Sequence, residues 1–207
     1  MTKAALSQED LHLAYYLYQP SRPVLITTLN HDGGVNAAPA SWVSPASQRP
    51  PMFTVALLTE PAKQHTLVNI ERSGEFVLNL PGLDLADRVV ASSYDYPEDQ
   101  SKFSLMAYRA IPSLDVKPPG IDECRANLEC RSRQMHRVGD HTLVIADLVA
   151  AQYDRDLYTD DLLLRIDKSF PCLHFKRYKM DDRQTHLFLA PSAFRIASVP
   201  YPEQSGA

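Results

Sequence analysis

Cysteine is scarce, with three in 207 residues and none in a CxxC pair. Cys124 and Cys130 are six residues apart in a stretch that reads as extended. At about 3.3 Å per residue their Cα atoms would lie roughly 20 Å apart, too far for a disulfide between them. Cys172 stands alone, so free buried thiols are expected. Neither HExxH nor an N-x-S/T sequon occurs, which leaves a zinc site and secretion without support. No 18 apolar residues run together, and Met1 to Gln8 holds no apolar signal-peptide core. The expectation is a cytoplasmic chain without membrane contact. Glycine-rich nucleotide loops are missing as well. No G-x-G-x-x-G follows a strand-like run and no G-x-x-x-x-G-K-[ST] is present, which argues against a Rossmann unit or a P-loop. Positive charge is in deficit, 21 Lys+Arg against 25 Asp+Glu for a net −4. The whole-molecule field therefore repels nucleic acid and anionic lipid, and an anionic ligand needs local positive charge.

What is present fits one soluble domain with one core: 44% of residues are hydrophobic and 22% charged. Ser7-Gln8-Glu9-Asp10 reads as a helix start, with Leu11, Tyr15 and Tyr18 at helical spacing up to Gln19-Pro20. From Pro23 the pattern alternates, and Val24 to Leu29, a turn at Asp32-Gly33-Gly34, and Val35 to Val43 predict a hairpin. A polar, proline-bearing loop over 44–51 precedes a strand at 52–58. Leu67 and Ile70 mark a helix that Gly74 stops, followed by a strand at 75–80 and a helix over 83–92. The stretch 93–119, rich in Pro, Tyr and Asp, reads as a long surface excursion. Two long strand-like runs, 122–134 and 142–152, meet at Arg137-Val138-Gly139-Asp140, and further strands are expected at 162–166 and 172–178. This is a mainly β pattern with helical additions. Closure hides strand edges, so the predicted architecture is a closed antiparallel β-barrel with flanking helices over 1–180, followed by a polar C-terminal extension over 181–207.

Period-two alternation puts Asn36, Ala38, Ala40 and Trp42 on one strand face. Two small residues between an amide and an indole leave a flat strip suited to a planar heteroaromatic ring. The same alanines equally suit a helix packed on the sheet, and Pro39 implies an edge or a bulge. Pro61-Ala62-Lys63-Gln64-His65-Thr66 brings a cation, a hydroxyl and unpaired N–H groups to a helix start, a composition that suits a phosphate and also ordinary capping. Lys102 reads by itself as a solvated lysine, and His141 as a turn histidine.

Four stretches, in order, resemble the flavin reductase-like, FMN-binding split-barrel family, which includes flavoredoxins and reductase components of two-component monooxygenases. They are Arg22-Pro23-Val24 through Gly33 to Asn36-Ala37-Ala38-Pro39-Ala40-Ser41, Lys63-Gln64-His65-Thr66-Leu67-Val68-Asn69-Ile70 leading to Gly74-Glu75-Phe76-Val77-Leu78-Asn79, Asp99 to Phe103, and Asn127-Leu128-Glu129-Cys130 through Val138-Gly139-Asp140-His141. The resemblance implies FMN contacts from Asn36, Trp42, Thr66, Lys102 and His141, and an aromatic contact from Phe175. With the strip and the helix start, the candidate cofactor-binding set is Asn36, Ala38, Ala40, Ser41, Trp42, Lys63, His65, Thr66, Lys102, His141 and Phe175. Relatives often carry a glycine-rich stretch where this chain reads Leu173-His174-Phe175-Lys176-Arg177-Tyr178. The resemblance further implies non-covalent FMN, hydride transfer from NADH or NADPH to the flavin, and a homodimer. A partner monooxygenase or redox protein would take the electrons. His141 is the candidate for a catalytic role, stabilising negative charge on reduced flavin together with or instead of Lys102. Two other readings stand beside this one: an electron-transfer flavoprotein that retains its FMN, and a barrel that binds another ligand such as haem.

Overall fold

The computed structural model describes residues 2–94, 96, 101–180 and 183–190. Seven strands form its main sheet: β1 (Val24–Leu29), β2 (Val35–Ala40), β3 (Val43–Gln48), β4 (Pro51–Leu58), β5 (Glu75–Leu80), and, beyond two short strands, β8 (Ala126–Val138) and β9 (His141–Tyr153). The short pair is β6 (Ala110–Ile111) with β7 (Gly120–Ile121). Every pairing in the main sheet is antiparallel, in the order β2-β1-β5-β8-β9-β4-β3.

The two edges of this sheet, β2 and β3, are consecutive in sequence, separated only by Ser41 and Trp42. A link this short spans about 10 Å, so the sheet must curl until its edges meet. Yet the expected closed barrel does not form, because no ladder joins β2 to β3. The physical reason is their succession: strands joined by two residues without a reversal lie end to end and have no flank to share. Pro39 and Pro45 also remove N–H donors from both edges.

Alternation then sorts side chains to the two faces. Val24 and Ile26 of β1, Val55 and Leu57 of β4, Phe76 and Leu78 of β5, Cys130 of β8, and Val144 and Ala146 of β9 cluster on the inner face. Helix α1 (His65–Ser73) fills the curl with Leu67 and Ile70, each fully buried. Gly74 ends α1 at φ +71°, a conformation that a side chain would strain, and its N–H reaches the Ile70 carbonyl at 2.8 Å. Leu25 and Ala37 face outward, where α2 (Ala86–Ala91), α3 (Lys102–Leu105) and the following loop cover them with Val89, Phe103, Tyr108, Ile121 and Cys124. Cys124, Cys130 and Cys172 are free and buried, and burial pushes each thiol upward, Cys130 and Cys172 to about 12.

Several expectations are corrected. Residues 44–51 were expected to loop, but Val43–Gln48 pairs with β4; its largely exposed edge position gives a polar composition that masks strand character. Leu11–Tyr18 is a 3-10 helix that buries none of its residues, so no packed face rewards α geometry there. Residues 162–166 form no strand: only Leu164 pairs, in an isolated bridge to Tyr158, and Leu162 stands at φ +61° with its N–H bonded to the Thr159 carbonyl at 2.9 Å. The strand expected over 172–178 is β10 (His174–Met180), and it pairs with β11 (Arg183–Phe188) inside the stretch expected to be a polar extension. Residues 191–207 lie outside the described residues.

Buried polar groups lock the loop before β8. Glu129 is fully buried, and its carboxylate accepts N–H bonds from Leu114 at 2.7 Å, Asp115 at 2.7 Å and Val116 at 3.1 Å. Asn79 donates to the Leu25 carbonyl at 2.9 Å and accepts from Ile121 N–H at 2.9 Å and Asn127 at 2.8 Å. Replacing Glu129 by Ala strands three N–H groups, so a loss of about 3 kcal/mol is expected. A urea midpoint that Glu129→Ala leaves unchanged would contradict the assignment.

The separate β10–β11 pair carries a pH signature. His174 is buried, stacks on Phe188, and shares a 2.9 Å hydrogen bond with His186. Burial, then the neighbouring His186 and Lys176, pushes its pKa down to about 4 from an ordinary 6.5. Between these values the unfolded chain takes a proton that the folded chain refuses, so this site's contribution is intact above pH 6.5 and is lost as pH falls towards 4. Melting temperature followed across that window should drop more steeply for the wild type than for His174→Phe. Parallel curves would refute the buried neutral histidine.

Candidate functional site

The bend that joins the sheet edges also creates the most chemically distinctive surface among the described residues. At Ser41-Trp42 the chain leaves β2 and enters β3, and the Trp42 carbonyl accepts the Ala56 N–H at 2.9 Å, anchoring the bend to β4. The indole of Trp42 is 50% exposed. His141 lies against it with ring centroids 4.6 Å apart and 32° between planes, and Tyr15 meets it edge-on at 6.0 Å. Ser41 is tied to the chain before β1 through the Ser21 hydroxyl at 3.3 Å.

His141 is held from its other side. Asp140 Oδ1 lies 2.7 Å from Nδ1 of the ring, and this bond holds the Asp140 carboxyl below its usual range. An ionised carboxylate only accepts, so Nδ1 carries the proton and Nε2 is the nitrogen left for a ligand. The turn that carries both residues, with Gly139 at φ +59°, is pinned because the Asp140 carbonyl accepts N–H bonds from Thr59 at 2.8 Å and Glu60 at 3.1 Å. Thr59 and Thr142 add a hydroxyl bond of 2.8 Å, so the β4 end, the β8–β9 turn and the bend form one rim.

Inside the rim, Asn36 faces α1. Its Nδ2 donates to Thr66 Oγ1 at 3.1 Å and Thr28 Oγ1 at 3.2 Å, while Asn69 donates to the same Thr28 hydroxyl at 3.0 Å. Thr66 is only 2% exposed, so its side chain addresses Asn36 rather than open surface. Ala38 is half-buried, and Ala40 packs on the cluster containing Leu67 and Ile70, so the small side chain at 40 does make room for the helix. The strip is therefore open only towards its Trp42 end.

The other candidates separate. Lys63 pairs with Glu71 at 2.9 Å on an exposed face, and His65 is exposed at the first residue of α1. Lys102 opens α3, which packs on the Ala37 side of β2, opposite the side that Asn36 presents to α1; its ammonium is 3.4 Å from the Ser92 carbonyl. Asp99 and Gln100 of the same motif lie outside the described residues. Phe175 is half-buried on β10, next to His174, whose backbone bridges Ser21. Thus Asn36 joins Thr66, Trp42 joins His141, and Lys102 joins neither pair. Tyr15 and Asp140 were not singled out from sequence. Asp140 was legible as a carboxylate beside His141, whereas Tyr15 gave only an apolar position on a short helix.

Residues 17–178 match the family model described as the flavin reductase like domain. A protein of Methanothermobacter thermautotrophicus is 32% identical over 162 residues, 74% of each chain. The fold is similar to nitrilotriacetate monooxygenase component B from Bacillus cereus, with TM-score 0.77 and 18% identity over 95% of this chain and 100% of that one. It is also similar to an FMN-binding protein from Thermus thermophilus, with TM-score 0.72 and 17% identity over 96% and 98%. The curled antiparallel sheet with a helix in its mouth, and the family match across most of its length, establish that this chain belongs to the flavin reductase-like domain family.

Proposed function

We propose that the chain binds FMN non-covalently at the Trp42 end of β2 and acts as an NAD(P)H-dependent flavin reductase. The observation that carries this reading is the half-exposed Trp42 indole resting on His141, ring centroids 4.6 Å apart and tilted by 32°, beside a pinned turn. A rigid aromatic face beside a small-residue strand fits a planar ring, and aromatic stacking of this kind is worth roughly 0.5–1.5 kcal/mol beyond buried area. Trp42, Ser41, Ala38 and His141 would hold the ring, with Asn36 fixing the strand behind them. The start of α1, with Lys63, His65 and the amides before Thr66, is the site for the phosphate. Lys63 must then leave Glu71, which costs little because exposed ion pairs are worth about 0–1 kcal/mol. Lys102 and Phe175 have no part in this set.

Bound FMN supplies a centre that accepts hydride from a nicotinamide. The protein's part is to position and shield. Asp140 fixes the His141 ring so that Nε2 is presented in one orientation, and a protonated His141 can stabilise negative charge placed before it. No nucleophile is needed, and the three buried thiols, all raised in pKa, are unsuited to be one.

A homodimer belongs to the same proposal. Leu11, Leu17 and Tyr18 of the 3-10 helix are 50%, 78% and 90% exposed beside Tyr15 and Trp42, an apolar surface that a second copy would cover. Reduced flavin made there would serve a partner monooxygenase or another acceptor.

Anaerobic mixing of the FMN-loaded protein with NADH, then NADPH, should bleach the flavin absorbance faster than free FMN is bleached. Should neither nucleotide accelerate bleaching while dithionite still reduces the bound flavin, the reductase activity is refuted and an electron-transfer role takes its place.

A further inference from the structure

A second cleft lies at the far end of the β8–β9 hairpin from the Asp140-His141 turn. Arg125, immediately before β8, is 7% exposed, and its Nε has no hydrogen-bond partner. No carboxylate among the described residues forms an ion pair with it. A buried guanidinium nitrogen without an acceptor is costly and calls for an explanation. Burial lowers its pKa; the Tyr158 hydroxyl opposes this and the nearby Arg22 adds to it. Arg125 lines a cleft of about 330 Å³ together with Leu83, Leu157, Phe170, Asp84, Glu123 and Lys168.

The charges in this wall do not cancel. Glu123 is already engaged, by Arg88 Nη1 at 3.2 Å and by the Arg109 N–H at 3.1 Å. Asp84 remains as one free carboxylate, set against Arg125 and the exposed Lys168. The balance favours a single negative charge over a dianion, which Asp84 would repel. Leu83, Leu157 and Phe170 add apolar wall, so the complementary ligand carries an apolar body behind its charge.

We propose that this cleft binds a small organic monocarboxylate with an apolar body, its carboxylate held by Arg125 with Lys168 at the rim. A guanidinium offers a planar donor pair that matches a carboxylate, and the apolar wall takes the remainder. The site is separate from the Trp42 surface, so occupancy there does not depend on flavin.

Benzoate is the probe, with benzamide as its uncharged counterpart and inorganic phosphate as the dianionic one. Calorimetry on the full chain should show saturable one-to-one binding of benzoate at millimolar concentration or below, no binding of benzamide, and weaker binding of phosphate. Trp42 emission should not change. Arg125→Gln should weaken benzoate by about tenfold or more. Because a buried substitution can harm folding, Lys168→Ala on the exposed rim is the second variant, and it should weaken benzoate severalfold with an unchanged melting temperature. Absence of saturable benzoate binding, equal affinity in folded Arg125→Gln and Lys168→Ala, or phosphate binding as tight as benzoate would overturn the proposal. So would benzoate that quenches Trp42 and competes with FMN.

Discussion

The Thr28 hydroxyl accepts amide hydrogens from Asn36 on β2 and Asn69 on α1 at 3.2 and 3.0 Å, and Asn36 also reaches Thr66. All four side chains are buried, so each unmade bond would cost more than a made one returns. This network fixes α1 within the curled sheet at one rotation. Hydrophobic burial of Leu67 and Ile70 brings the helix in without specifying its register, and the polar contacts supply that register. With α1 fixed, β2 is fixed, and the position at which β2 bends into β3 follows.

That bend is the constraint from which the candidate site derives. Two residues carry the chain from one edge of the sheet to the other, so they are held by both edges and stand at the rim. A large aromatic there cannot be fully buried, and Trp42 is half exposed while resting on His141. The turn beneath His141 is secured by three bonds to the segment that follows β4, two from the Thr59 and Glu60 N–H groups and one between the Thr59 and Thr142 hydroxyls, which makes the aromatic surface rigid before any ligand arrives. Preorganisation of this kind reduces the ordering cost of binding. The Arg125 cleft lies where β5 ends and β8 begins, and it depends on a different set of loops.

Much of the architecture was legible because it rests on local pattern. Alternation in Val24 to Leu29 and in the two long runs of β8 and β9 identified the central strands, and the Leu67, Ile70 and Gly74 spacing identified α1 and its end. The edge strand β3 was not legible, since an exposed edge has polar composition, and neither was the open seam, which arises from the order of strands in three dimensions. Among site residues, the Trp42 and His141 positions were named but not their contact, because they lie 99 positions apart in sequence. Lys102 was grouped with Thr66 because both match motif positions; only the packing of Phe103 on Ala37 assigns α3 to the other side of β2. The unpartnered Arg125 had no sequence signature, for a missing hydrogen bond is visible only when all neighbours are in place.

The central claim is that a flavin ring rests on Trp42, and the chain contains only this one tryptophan. Its emission, titrated with FMN, reads that contact without interference from any other indole. Saturable quenching, with a comparable affinity from the flavin's own fluorescence, is the expected result. Emission that stays unchanged at FMN concentrations which saturate the protein by the second readout would place the flavin elsewhere and contradict the account.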